Sequence, residues 1–203
     1  MNNRSACQHL LDAGPVLCLG ASTVMADLYD AHLIADGLVV ATVADEVRGW
    51  ASVYVAPGDP HRKKEVKRTG AAAVGRYTRT LLATALPTPE PEPAAVAAIR
   101  RELERHAERK RPGRMARAGE HGGETYSIYE AGLRSICFIT NDGGARHVAG
   151  MWYVTHQSFV DLMRRLVKSH QDVNRRQIVK EMQRLGRNGI DVGDVVNSVL
   201  DLR

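Results

Sequence analysis

The stretch Ser135–Gly150, S-I-C-F-I-T-N-D-G-G-A-R-H-V-A-G, constrains the fold more than any other part of the chain. Its apolar run Ile136–Ile139 is rich in β-branched and aromatic residues and too brief for an ordinary helix, so it reads as a buried strand. Thr140-Asn141-Asp142-Gly143-Gly144 ends that strand, and Ala145-Arg146-His147-Val148-Ala149 begins a helix. A carboxylate at the carboxyl end of a buried parallel strand stands where open α/β sheets bind their ligands. Asp142 is therefore the first candidate functional residue.

Other segments repeat the pattern. After a turn at Gly14-Pro15, Val16–Leu19 reads as a short central strand that ends at Gly20-Ala21-Ser22-Thr23. Val24, Met25, Leu28 and Leu33 follow at helical spacing. Leu38–Val43 reads as the next strand, with Asp45-Glu46 in the first turn of the helix behind it, where the helix dipole favours acids. Met151–Val154 is a further strand candidate. Strands alternating with helices imply a parallel sheet covered on both faces, which is an α/β fold. Three strand ends then carry Gly20, the Asp45-Glu46 pair and Asp142.

Between 56 and 118 the character changes. Pro57-Gly58-Asp59-Pro60 breaks the chain, and His61–Arg68 is a basic run. Leu86–Pro93 must be extended, because its alternating prolines deny helix and donate no ladder hydrogen bonds. Ala94–Lys110 reads as a helix with Val96, Ile99, Leu103 and Ala107 on one face and mixed charges opposite. Arg109, Lys110, Arg111, Arg114 and Arg117 form a purely basic cluster, and like charges so crowded repel unless an anion uses them. They are the candidate nucleic-acid-binding residues.

Toward the carboxyl end, Phe159–Lys168 is an amphipathic helix. Ile178, Met182 and Leu185 mark another, capped by Gly186, and Val192–Leu200 a short last one. The whole reads as a single domain over 1–203, with a helical, basic insertion at about 56–118 that contains the proline-rich segment 87–93.

Composition narrows the partners. With 44% hydrophobic and 25% charged residues, wholesale disorder is excluded. A net charge of +5 favours a polyanionic partner, against the plainer reading of a basic surface with no such role. Cys7, Cys18 and Cys137 are odd in number and lack C-x-x-C spacing, as expected of core thiols in a reducing compartment. No apolar run approaches the length of a membrane span, and the amino end lacks a signal-peptide core. The expectation is a cytoplasmic protein that does not enter membranes.

Glu46, Glu124 and Asp142 each begin a helix or end a strand on the same expected rim. Singly, each reads as a favourable first-turn or cap charge. Together, carboxylates held close repel unless a cation neutralises them, and oxygen ligands of this kind suit Mg²⁺ or Mn²⁺. No G-x-S-x-G elbow supports a serine hydrolase, and no dinucleotide fingerprint is present.

Leu19-Gly20-Ala21-Ser22, V-A-D-E-V at 43–47, G-G-E-T-Y-S-I-Y-E-A at 122–131 and F-I-T-N-D-G-G-A-R-H-V-A at 138–149 together resemble the PIN-domain family. So does Tyr153-Val154-Thr155 with the helix Phe159–Lys168, and T-N-D-G-G-A-R is the most specific of these motifs. The resemblance spans about 14–55 and 119–203. It implies a three-layer α/β/α sandwich with a central parallel sheet, which gathers acidic residues around Mg²⁺ or Mn²⁺ to cut RNA. Many such domains are the toxins of toxin–antitoxin pairs.

Carried over by motif, Glu46, Glu124 and Asp142 become catalytic and metal-binding. Gly20, Ser22, Thr140 and Asn141 become site-lining. RNA and a cognate antitoxin become the partners, and a homodimer is open. Gly20 occupies the place where such a domain ends its first strand in Asp. The resemblance therefore implies either an endoribonuclease weakened at Gly20 or a non-cutting module that binds RNA or a protein partner.

Overall fold

The computed structural model describes residues 8–113, 120–170, 173–188 and 190. Strand β1 (His9–Leu11) runs through Asp12 into α1 (Ala13–Ala21) and α2 (Thr23–His32), and a single 3₁₀ turn then leads to β2 (Gly37–Leu38). Helices α3 (Ala41–Ser52), α4 (His61–Tyr77), α5 (Ala94–Lys110) and α6 (Gly122–Arg134) precede β3 (Cys137–Ile139). Then come α7 (Gly143–Met151), β4 (His156–Gln157), α8 (Phe159–Ser169) and α9 (Arg175–Arg187).

The four strands form one parallel sheet in the order β2-β1-β3-β4. Leu10 pairs with Leu38 on one side and Phe138 on the other, Leu11 with Ile139, and Ile139 with Gln157. The fold is α/β, with a central parallel sheet and helices packed around it, as the strand–helix alternation predicts. Leu10, Leu11, Phe138 and Ile139 are fully buried, as are Tyr29 and Phe159 of the flanking helices. Each such side chain contributes about 1.5–3 kcal/mol by leaving water.

The chain leaves β1 toward β2 and leaves β3 toward β4, in opposite directions across the sheet. The topological switch point therefore lies between β1 and β3, and a crevice opens outside their carboxyl ends. Asp12 and Thr140 are the residues that directly follow β1 and β3 there.

Several local expectations are corrected. Val16–Leu19 is not a strand but the middle of α1. Ala13, Pro15, Val16, Leu17, Cys18, Leu19 and Ala21 are all buried, so this short helix shows no polar face and imitates a buried strand. Gly14-Pro15 is its first turn, where proline lacks only an N–H that has no helical partner. The first strand lies earlier, at His9-Leu10-Leu11.

Of Leu38–Val43, Leu38 alone is in the ladder, while Val40 makes a lone bridge to Leu86 and α3 starts at Ala41. Asp45 and Glu46 are therefore past the first turn. Met151–Val154 is the end of α7 and a tight turn with Tyr153 at φ 57°, and β4 comes after it. Gly186 lies inside α9, whose cap is Asn188. The expected helix Val192–Leu200, together with Cys7, falls outside the described residues.

The segment expected as an insertion helps to build the core. Helix α4 lies against both α1 and α3. Two glycines let the backbones meet: a Cβ on Gly20 would be 2.6 Å from Ala73 Cβ, and one on Gly70 would be 2.8 Å from Ala51 N. Ala73, Tyr77, Leu81, Leu82, Val96, Ile99 and Leu103 are all buried. The proline-rich stretch is free of helix but bends at Glu90-Pro91, and α5 has the predicted bounds, with Val96, Ile99 and Leu103 buried and Ala107 only partly so.

Candidate active site

Asp12 is where the site begins. Its backbone N–H donates to Ile139 O at 2.9 Å, extending the β1–β3 ladder by one rung and so setting its position by strand register. Its side chain caps α1, with Oδ1 accepting from Ala13 N at 2.8 Å. Oδ2 accepts the Thr140 hydroxyl at 2.6 Å. Thr140 is fully buried, and its Oγ1 in turn accepts the Asp142 N–H at 3.1 Å, so one hydroxyl ties the two acidic positions together. Asp142 caps α7 by accepting Ala145 N at 2.7 Å.

Glu46 and Glu124 reach the same place from α3 and α6. Gly123 explains how they fit. A Cβ there would stand 3.1 Å from Val43 Cγ2, 3.2 Å from Glu46 Oε2 and 3.8 Å from Asp12 Oδ1. The missing side chain leaves a gap that both carboxylates border. Glu46, Glu124 and Asp142 line one cleft of about 1420 Å³, and His106, Lys110 and Arg111 of the α5 region line it too.

The charges strain against one another. Burial raises the Asp12 carboxyl well above its usual range, and the Glu124 charge raises it further, although the Thr140 and Ala13 hydrogen bonds pull it down. Glu46 is pushed up to about 7, by lost hydration first and by Glu124 second. His121 is raised by its contact with Glu124, from which its Nδ1 stands 3.9 Å. Thr42 Oγ1, His106 Nε2 and His121 Nε2, all on cleft-lining residues, are shielded from solvent without a hydrogen-bond partner among the described residues.

These shifts predict a pH dependence. Between pH 4.5, the ordinary glutamate value, and about 7, the folded chain binds more protons than the unfolded one, so stability falls as pH rises. Without metal, the melting temperature should drop by roughly 2–4 °C from pH 5 to pH 8, equivalent to about 1 kcal/mol after solvent screening of Glu46. Millimolar Mg²⁺ should recover most of the loss at pH 8 and almost none at pH 5. A flat profile in differential scanning calorimetry would show that the carboxylates do not interact.

The remaining expected site residues divide. Asn141 positions rather than lines: its Oδ1 accepts Phe159 N at 3.2 Å and seats the start of α8. Ser22 caps α2 through Met25 N, at the far end of α1 from Asp12, so it does not line the site. Gly20 lies at that same far end, pressed on Ala73, and is not a vacated ligand position. The strand-ending acid is Asp12. The signal that could have found it is L-L-D-A-G, an apolar pair stopped by Asp and small residues, which parallels F-I-T-N-D-G-G. Of the basic cluster, Lys110 and Arg111 line the cleft, Arg109 is exposed outside it, and Arg114 and Arg117 lie outside the described residues.

Oxygen donors that repel one another, a glycine gap between two of them and orphaned polar atoms in the cleft wall together fit a hard divalent cation. Among the described residues, no three of His, Cys, Asp or Glu are gathered as a ready-made cage. Binding an ion would have to draw Glu46 and Glu124 inward. Among the described residues no helix is long and apolar enough to cross a membrane.

By fold and site together, the chain is a parallel α/β protein with a carboxylate-lined cleft at its switch point. That is the arrangement the PIN resemblance implies. No protein-family model and no curated protein matches the chain. Among solved structures, one titled as FitAB bound to an IR36 DNA fragment matches over 75% of this chain and 95% of that one, at 20% identity and a TM-score of 0.45. A likeness this distant carries no argument, and the functional reading rests on the residues themselves.

Proposed function

We propose that the chain is a metal-dependent endoribonuclease of PIN type that acts as the toxin of a toxin–antitoxin pair, with RNA as substrate and a cognate antitoxin as protein partner. The observation that carries this reading is Asp12, the strand-end carboxylate, held by Thr140 beside Glu46, Glu124 and Asp142. Those four residues would hold Mg²⁺ or Mn²⁺. Bound there, the ion would supply the positive charge that activates water and offsets charge developing on the phosphate.

The chain's own residues do the rest. Thr140 and Ala13 fix the Asp12 carboxylate, so that it need not reorganise during reaction. Gly123 leaves room for the ion between Asp12 and Glu46. The Glu46 carboxylate, poised to lose its proton near neutrality, becomes a better ligand as pH rises. The cations of the opposite wall receive the phosphate backbone. The non-cutting alternative rested on Gly20 and loses that support, because Gly20 is a helix-packing residue.

The test uses the purified full chain and a labelled single-stranded RNA. Cleavage should require Mg²⁺ or Mn²⁺, stop in EDTA, and fall by about 10²–10³ in Glu124→Gln. Expression should slow host growth, and Glu124→Gln should relieve it. Cleavage that persists in EDTA, or survives Glu124→Gln undiminished, would overturn the reading.

A further inference from the structure

We propose that Lys110 and Arg146 form a clamp for one phosphate of a single-stranded nucleic acid, beside the carboxylates. The nature of the strand rests on the nuclease reading above, and the clamp itself rests on geometry. Lys110 Nζ and Arg146 Nη2 both stand 3.9 Å from the point where Gly143 would carry a Cβ. Any larger residue would put its side chain between them, and glycine leaves that space open.

Neither cation is ion-paired among the described residues. Elsewhere the pairing is dense: Arg76 binds Asp27 and Asp30, Arg68 binds Glu65, and Arg100 binds Glu92. Two unpaired like charges aimed at one spot repel unless an anion lies between them.

The two cations differ in a useful way. Arg146 is anchored, since its Nη1 donates to Thr140 O and Asn141 O, both at 3.2 Å. That leaves the Nη2 edge of a rigid guanidinium facing the open space, ready for one phosphate oxygen. Lys110 ends a flexible stem on α5 and can follow the other oxygen. The α7 amino end plays no part, because Asp142 already caps it. A lone phosphate would occupy little of a cleft of about 1420 Å³, whereas a strand would fill it. The Asp142 carboxylate is adjacent and lowers the baseline affinity of every variant alike.

The experiment measures binding of a fluorescent single-stranded RNA across a salt series. It uses the full chain carrying Asp12→Asn, in EDTA, so that no strand is cut. Lys110→Gln should weaken binding several-fold, and Lys110→Gln with Arg146→Gln should make the log–log salt slope shallower by about 0.7, one phosphate contact. Because both cations hold the same phosphate, Arg146 still neutralises it in Lys110→Gln, so the single variant should lose less slope than the double. Arg109→Gln, exposed on α5 outside the cleft, should weaken binding less. Single-stranded DNA of the same sequence should show the same pattern.

Unchanged affinity in Lys110→Gln, or an equal loss of affinity from Arg109→Gln, overturns the clamp. A slope loss of about 1.4 in the double variant, two phosphate contacts, overturns the shared phosphate. Binding of inorganic phosphate without strand binding overturns the strand. Should the parent fail to cleave while the slopes change as expected, the clamp stands and the nuclease reading falls.

Discussion

Asp12→Asn is expected to reduce metal-dependent RNA cleavage by about 10²–10³ while leaving the fold at least as stable as before. The two effects have one cause. Asp12 is 7% exposed, loses hydration on burial and faces the charges of Glu124 and Glu46. Its ionised form is useful to a cation and costly without one. Asparagine keeps an oxygen to cap Ala13 N and an amide that the Thr140 hydroxyl can accept, so the local geometry survives. It removes the charge, and with it both the repulsion and a ligand.

Stability of Asp12→Asn in EDTA at pH 8 should therefore match or exceed that of the parent by about 1 kcal/mol, read from urea unfolding. Mg²⁺ should stabilise the variant less than the parent. If Asp12→Asn cleaves as well as the parent, the strand-end carboxylate is not part of the reaction. If it loses stability instead, Asp12 is chiefly a helix cap.

The second large effect lies at Gly20, and its direction depends on the structure. Read as a missing strand-end acid, Gly20→Asp would restore a ligand and raise activity. Read as the point where α1 meets α4, it does the opposite. A Cβ would stand 2.6 Å from Ala73 Cβ, 2.7 Å from Ala73 N and 2.8 Å from Ala73 Cα, and backbone atoms of a packed helix cannot swing aside. Glycine to alanine within a helix ordinarily gains about 1 kcal/mol. Here Gly20→Ala should instead lose about 1–3 kcal/mol, as an overpacked core does. Gly20→Asp adds a carboxylate forced against that packing and should lose several kcal/mol, on the order of 3–5. Soluble yield and urea midpoints would test this, with Gly20→Ala as the variant still able to fold. A Gly20→Asp protein that is stable and more active would mean that α1 and α4 do not cross there.

Part of the site was legible because its chemistry is local. F-I-T-N-D-G-G carries its strand, its cap and its turn within one short window, and Asp142 needed no distant partner to be noticed. Glu124, within G-G-E-T-Y-S-I-Y-E-A, was visible for the same reason. Asp12 was hidden because its strand, His9-Leu10-Leu11, offers only two apolar residues to a linear reading. Helix α1 next to it is apolar on almost every side, so its run Val16–Leu19 presented the stronger strand pattern. The displaced strand then carried the acidic position to Gly20 and Ser22.

By itself the sequence determined the class of fold, the helices α5 and α8, and Asp142 as the acid beyond β3. Periodicity and capping are properties of neighbours in the chain, and there a linear reading suffices. Tertiary structure alone decided which apolar run enters the sheet, because that depends on which run can pair on both sides, as β1 does with β2 and β3. It also decided that Asp12 and Thr140, 128 residues apart, share a hydrogen bond, since parallel register sets them side by side. The packing of α4 on α1 likewise gives Gly20 a structural role where the local motif implied a lost ligand.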